Sequence, residues 1–196
     1  MGAHESMEYA EHAHHASSSN KQIALLIAVI ALFLALSETL GKSAQTEGLT
    51  QNIEASNLWA FYQAKTIRMT SVRTAAEEMK TQLEKEADPK FKTAADKQID
   101  AWQKTSQRYD DEPDTGEGRK QLVVRAKKAE EKRDLAFAKY HHFEVASAAF
   151  QIGIVLASAT IITGMVVLSW GAMALAALGI GFTAIGLFAP HAVHLF

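Results

Sequence analysis

From Phe150 to Ala189 the chain runs forty consecutive residues without a formal charge. A membrane-crossing helix takes about 20 apolar residues at ~1.5 Å each, so the stretch predicts two crossings joined by a turn. Ser169-Trp170-Gly171 is the expected turn, because tryptophan suits the membrane interface and glycine permits a tight reversal. Small residues at Ala172, Ala176, Ala177, Gly179, Gly181 and Gly186 allow close approach to a neighbouring helix. Hairpin packing is the plain reading of that stripe, with an oligomer contact as the competing one.

A second apolar run lies near the N-terminus. Ile23 to Leu36 is fourteen residues without a polar group, and Ser37 to Gly41 extend it towards Lys42 and the length of a span. Fourteen residues also suit the core of a signal peptide. However, the preceding tail carries Glu5, Glu8 and Glu11 instead of basic residues, and Lys42 spoils a small-residue cleavage pattern. The expectation is an uncleaved anchor.

The mean hydropathy of -0.06 conceals a segregation between apolar ends and a charged middle. Nineteen of the 20 Lys and Arg residues lie between Lys42 and Lys139, and 18 of the 22 acids lie between Lys42 and Glu144, a balance of 19 − 18 = +1. So even a balance supplies no electrostatic reason to expect nucleic acid. With three crossings the middle and the C-terminus fall on one side and the first twenty residues on the other. Lys42, Lys65, Lys132, Arg133 and Lys139 against Lys21 alone then place the middle in the cytoplasm, in a bacterial inner membrane. Cysteine is absent, which removes disulfides and thiolate chemistry.

The middle reads as helix. Prolines occur only at 89, 113 and 190, leaving long stretches uninterrupted. Leu49, Ile53, Ala60, Ile67, Val72, Ala76, Met79 and Leu83 recur at three- to four-residue steps or their multiples, an amphipathic helix stopping near Asp88-Pro89. Phe91, Ala95, Ile99, Trp102 and Tyr109 mark a second helix, and Asp110 to Gly118 a polar turn. A third starts near Arg119, shows Leu122, Ala126, Ala129, Ala136, Tyr140 and Phe143 on one face, and merges into the membrane helix at Ala146. The stripes are irregular at Asn57 and Ala64, so any coiled coil would be short of a sustained heptad pattern.

Ala44-Gln-Thr-Glu-Gly-Leu49 and Glu54-Ala-Ser-Asn-Leu-Trp-Ala-Phe-Tyr-Gln-Ala-Lys-Thr-Ile-Arg68, just after the first apolar helix, resemble the bacterial membrane family called domain of unknown function 4337. The resemblance covers most of residues 20 to 190. It implies the same layout of helical middle and C-terminal apolar pair, and brings no activity, cofactor or catalytic residue.

The candidate interaction residues are Trp59, Phe61, Tyr62, Lys65 and Arg68, aromatics and cations within about three turns. Trp59 lies ~27 Å along a straight helix from Gly41, too far for the membrane interface. Packing of Trp59, Tyr62 and Ile67 against the returning helix is the plain reading. Contact with a partner or second copy is the sharper one, since aromatics and arginine are favoured in interface hot spots. His4, His12, His14 and His15 could hold a divalent metal only incidentally, lacking a fixed geometry. His141 and His142 point in different directions on a helix, so they form no ligand pair. Glu38 has Lys42 four residues on in the favourable order, which suits an interfacial pair better than an ion path. No phosphate-binding glycine loop, zinc-helix motif or nucleophile elbow is present in the sequence.

The expectation is an all-α membrane protein with one N-terminal and two C-terminal transmembrane helices flanking an extramembrane helical hairpin or small bundle. Its segments are a His-rich tail (1–20), a first span (21–41), a helical domain (42–149), a transmembrane hairpin (150–190) and a C-terminal tail (191–196). The expected role is a scaffold, assembly or accessory subunit without catalytic activity or cofactor, with the bilayer and a protein partner or homo-oligomer as its contacts. The alternative is an oligomeric small transport or channel component.

Overall fold

The computed structural model describes residues 3–193, with side chains from residue 21 onward. Among these residues there are four helices and no strand: α1 (Ala3–Leu83), α2 (Pro89–Asp110), α3 (Arg119–Thr163) and α4 (Val166–Phe188). The histidines at 4, 12, 14 and 15, and His194, lie outside the described side chains. Three helices, α1, α3 and α4, are long and apolar enough to cross a membrane.

Helix ends follow local chemistry. α1 stops at Leu83, five residues before the expected Asp88. The Glu86 carboxylate accepts from the amides of Ala87 and Asp88 at 2.8 and 3.0 Å and takes those donors out of helical bonding. Asp88 then caps α2, its carboxylate accepting from Lys90 N at 2.9 Å, with Pro89 in the first turn. The α2–α3 link reverses at Gly116, whose φ is +68°.

The link between α3 and α4 corrects an expectation. The reversal lies at Gly164-Met165, not at Ser169-Trp170-Gly171. Gly164 has φ +70°, a conformation that carries little penalty only without a Cβ, and its amide donates to Thr160 O at 2.9 Å. Gly171 serves a different purpose inside α4: a Cβ there would sit 3.3 Å from Leu156 Cδ1, so the glycine admits a neighbouring leucine. Ser169 is also helical, its hydroxyl donating to Val166 O at 2.7 Å.

The chain divides into two compact units, residues 1–48 with 134–196, and residues 49–133. In the first, Ile30, Ala146 and Phe150 form the core, with Leu26, Phe33, Leu34, Ile154, Ala176 and Phe182 packed around them. Aromatic rings are seated against glycines. Added Cβ atoms would stand 2.6 Å from the Phe150 ring at Gly179, 2.9 Å from the Phe137 ring at Gly48 and 3.0 Å from the Phe143 ring at Gly186. This is the way apolar helices bind one another where lipid is as apolar as the side chains: packing, not water exclusion, drives association. Two polar contacts add direction. The buried Ser37 hydroxyl donates to Phe143 O at 3.1 Å, and His142 Nε2 donates to Pro190 O at 3.0 Å. Outward, Leu32, Ile162, Val167 and Phe188 are 70–86 % exposed, an apolar surface suited to hydrocarbon and not to water.

In the second unit α3 returns antiparallel to α1. Trp59 meets Glu130, whereas Thr66, further along α1, meets Arg119, earlier on α3. The core is Ala55, Leu58, Leu122, Ala126 and Ala129, with Trp59, Phe61 and Tyr62 against it. α2 contributes Ala95, Ile99 and Ser106. The α3 face expected from the sequence is buried at Leu122, Ala126, Ala129, Ala136 and Phe143.

The α1 face is a second correction. Leu49, Ile53 and Ile67 are 52, 61 and 67 % exposed, so the expected stripe is the outer one as far as Ile67, which does not pack inward, whereas its later members Val72, Ala76, Met79 and Leu83 are buried or half-buried as expected. The inward positions are Ala55, Leu58, Tyr62, Lys65, Met69, Val72 and Ala76, all buried or half-buried. Their steps alternate three and four without interruption, the spacing of a coiled-coil seam. A lysine in the middle of that seam disguises it.

Candidate functional site

The most heavily bonded part of the second unit gathers around Lys65 and Arg119. Lys65 is only 6 % exposed. Its ammonium lies 3.1 Å from Glu112 Oε2 and 4.0 Å from Glu117 Oε2, over the rings of Phe61 (5.4 Å) and Tyr109 (5.5 Å). Burying an unpaired ammonium is prohibitive. The acidic link after α2 supplies the counter-charge, and the two rings add cation–π attraction.

Arg119 opens α3 and reaches four partners. Nε donates to Thr66 Oγ1 at 2.9 Å, Nη1 to Asp110 Oδ1 at 2.9 Å and to Met69 Sδ at 3.4 Å, and Nη2 to Tyr62 OH at 2.9 Å. A rigid guanidinium fork suits such a junction, where a lysine would satisfy fewer acceptors. On the adjoining turns, Trp59 donates from Nε1 to Glu130 Oε1 at 2.9 Å and meets Tyr62 edge-on at 5.6 Å.

The sequence candidates therefore divide. Trp59, Phe61, Tyr62 and Lys65 engage partners within the unit, whereas Arg68 is exposed. Arg119, Glu112 and Glu130 complete the network and were not singled out in the sequence. The one available signal was the run of acids from Asp110 to Glu117, which faces Lys65 and Arg119 across the fold. Chemically the arrangement is a fastening. Cations and carboxylates neutralise one another and tie the α2–α3 link to α1.

The electrostatics agree. The hydrogen bond from Lys65 holds the Glu112 carboxyl below its usual range, and those from Gln121 and then Lys120 do the same for Asp111. A carboxyl with a depressed folded value contributes stability that is complete above the unfolded value, about 4.3 for glutamate, and is lost as pH falls through the folded one. The melting temperature is expected to drop on acidification below about pH 4.5, and less so in Lys65→Met. Equal acid sensitivity of the two proteins would contradict the Lys65–Glu112 contribution.

The family model described as Domain of unknown function (DUF4337) matches residues 19–189. No curated protein and no solved structure matches the chain.

Proposed function

The chain belongs to the DUF4337 family, whose description assigns no activity, and from its own geometry we propose that it is a non-catalytic, membrane-anchored helical scaffold or accessory subunit. In this reading it resides in a bacterial inner membrane, with residues 49–133 on the cytoplasmic side, and joins a protein partner or a second copy through α1.

The observation that carries the proposal is the outer face of α1. At 3.6 residues per turn, Leu49, Ile53, Ala60 and Ile67 project within about 40° of one another, opposite the inward seam. All four are exposed. A helix with two apolar faces, one of them uncovered, is an ordinary way to dock a second helix. Exposed Arg68 borders this face and can supply a polar rim.

Because the chain has no cysteine, single introduced thiols report unambiguously. In native membranes, Ile53→Cys and Ile67→Cys are expected to give discrete crosslinked species with a bifunctional maleimide, and Asp96→Cys, exposed on α2, to give none. Adducts equally abundant at all three sites, or absent at 53 and 67, would refute the interface. The same thiols should resist a membrane-impermeant maleimide added to intact spheroplasts. Labelling from outside would reverse the orientation.

A further inference from the structure

We propose that the groove between α1 and α3 in the first unit binds the phosphoethanolamine headgroup of a membrane lipid. The inference rests on the membrane-spanning reading and adds a ligand to it. The groove encloses about 420 Å³ and is lined by Glu38, Lys42 and Gln45 from α1 and by Tyr140, Glu144 and Gln151 from α3. That volume lies within the usual range of small-molecule sites, about 300–1,000 Å³. Gly41 and Phe143 also line it, and a Cβ on residue 41 would press on Phe143 at 3.3 Å.

The polar groups are placed for a zwitterion. Among the described residues Glu38 accepts a hydrogen bond from Gln151 Nε2 at 3.1 Å and Glu144 one from Tyr140 OH at 3.3 Å, both neutral donors. His141 Nδ1 stands 3.7 Å from Glu144 as well. The Lys42 ammonium has no carboxylate within ion-pair distance among the described residues, although two line the same groove. The expected Glu38–Lys42 pair is thus not formed. A cation and two anions held apart in one groove match a phosphate on Lys42 and an ammonium between the carboxylates, where its three N–H donors find acceptors.

Depth agrees with a headgroup. Glu38 and Lys42 lie about 3 and 9 Å along the helix beyond Leu36, the end of the apolar run, and Glu144 about 9 Å before Phe150. The headgroup layer of a bilayer is about 5–8 Å on each side, so Glu38 lies within it and the side chains of Lys42 and Glu144 can reach back into it from just beyond. Choline offers no N–H to the carboxylates, and an anionic headgroup would meet a groove with two acids and one base. Ethanolamine suits both.

The test uses the full chain, purified in mild detergent and offered an equimolar mixture of phosphatidylethanolamine, phosphatidylcholine and phosphatidylglycerol, with retained lipids counted by native mass spectrometry. Phosphatidylethanolamine is expected to be retained about tenfold over the others. Glu38→Gln/Glu144→Gln should abolish that preference, and Lys42→Ala should weaken retention of all three, with melting temperatures close to the parent. Equal retention, a preference for phosphatidylglycerol, or an unchanged preference in the double variant would overturn the site. Displacement by micromolar glycerophosphoethanolamine would overturn its assignment to a membrane lipid, and persistence against it would support it. Extraction of the chain from native membranes by carbonate would overturn the membrane reading and this one with it, whereas loss of selectivity in a carbonate-resistant chain overturns this one alone.

Discussion

Lys65→Ala is expected to lower stability by about 3 kcal/mol, whereas replacing the pair outright, Lys65→Met with Glu112→Gln, should stay within about 1 kcal/mol of the parent. Alanine removes the ammonium that Glu112 and Glu117 face, and leaves space between the rings of Phe61 and Tyr109. In the double variant methionine fills the same volume with an apolar chain at a seam position, and glutamine leaves no carboxylate without its lysine. A buried ion pair is costly to break from one side and often cheap to replace outright. In thermal unfolding of the detergent-solubilised chain, 3 kcal/mol corresponds to about 6–12 °C. A double variant as unstable as the alanine one would show that the pair is net stabilising.

The second large effect is expected where Phe150 meets Gly179. A Cβ on residue 179 would lie 2.6–2.9 Å from three atoms of the Phe150 ring. That ring is fully buried in a cluster with Ile30 and has Phe33 stacked on it at 6.1 Å, so it has little room to retreat. Gly179→Ala should cost about 2 kcal/mol through overpacking, despite the better helix propensity of alanine. Gly181→Ala is the matched control: nothing lies within 4 Å of its Cβ, and the expected effect is neutral or a gain of up to about 1 kcal/mol. Combining Gly179→Ala with Phe150→Leu should recover at least about 1 kcal/mol relative to the sum of the single changes, because both act on one contact. Additive losses, or a Gly181→Ala as harmful as Gly179→Ala, would rule out the ring-in-notch packing.

Together these two sites show how differently the two units are held. In residues 49–133 the seam of α1 carries a charge whose partners come from the α2–α3 link, and the unit depends on polar closure around it. In the other unit association rests on the fit of Phe137, Phe143 and Phe150 against Gly48, Gly186 and Gly179. Acid is expected to weaken the first kind of contact and leave the second untouched.

Much of this was legible in the sequence, and for a physical reason. Chain segments without charge over forty residues, and a proline-poor middle with three- and four-residue apolar steps, admit few solutions other than helices, because backbone groups must be bonded locally wherever water is lacking. Helix α3 was legible from its start at Arg119 through its buried Leu122, Ala126 and Ala129, since there the apolar period and the packed face coincide. The inward face of α1 was legible only from Val72 onward. Local pattern could not distinguish the stripe through Ile53 and Ile67 from the seam through Leu58 and Met69, because Lys65 counts as polar until Glu112 is brought beside it. Nor could it choose between Gly164 and Gly171 for the turn. Either glycine allows the backbone to reverse, and only the docking of Leu156 against Gly171 commits that residue to the helix. Solvent and backbone chemistry thus determined from the sequence alone that the chain is helical and where it can enter a membrane. Which side of each helix faces inward was decided by tertiary structure, because that depends on partners distant in sequence.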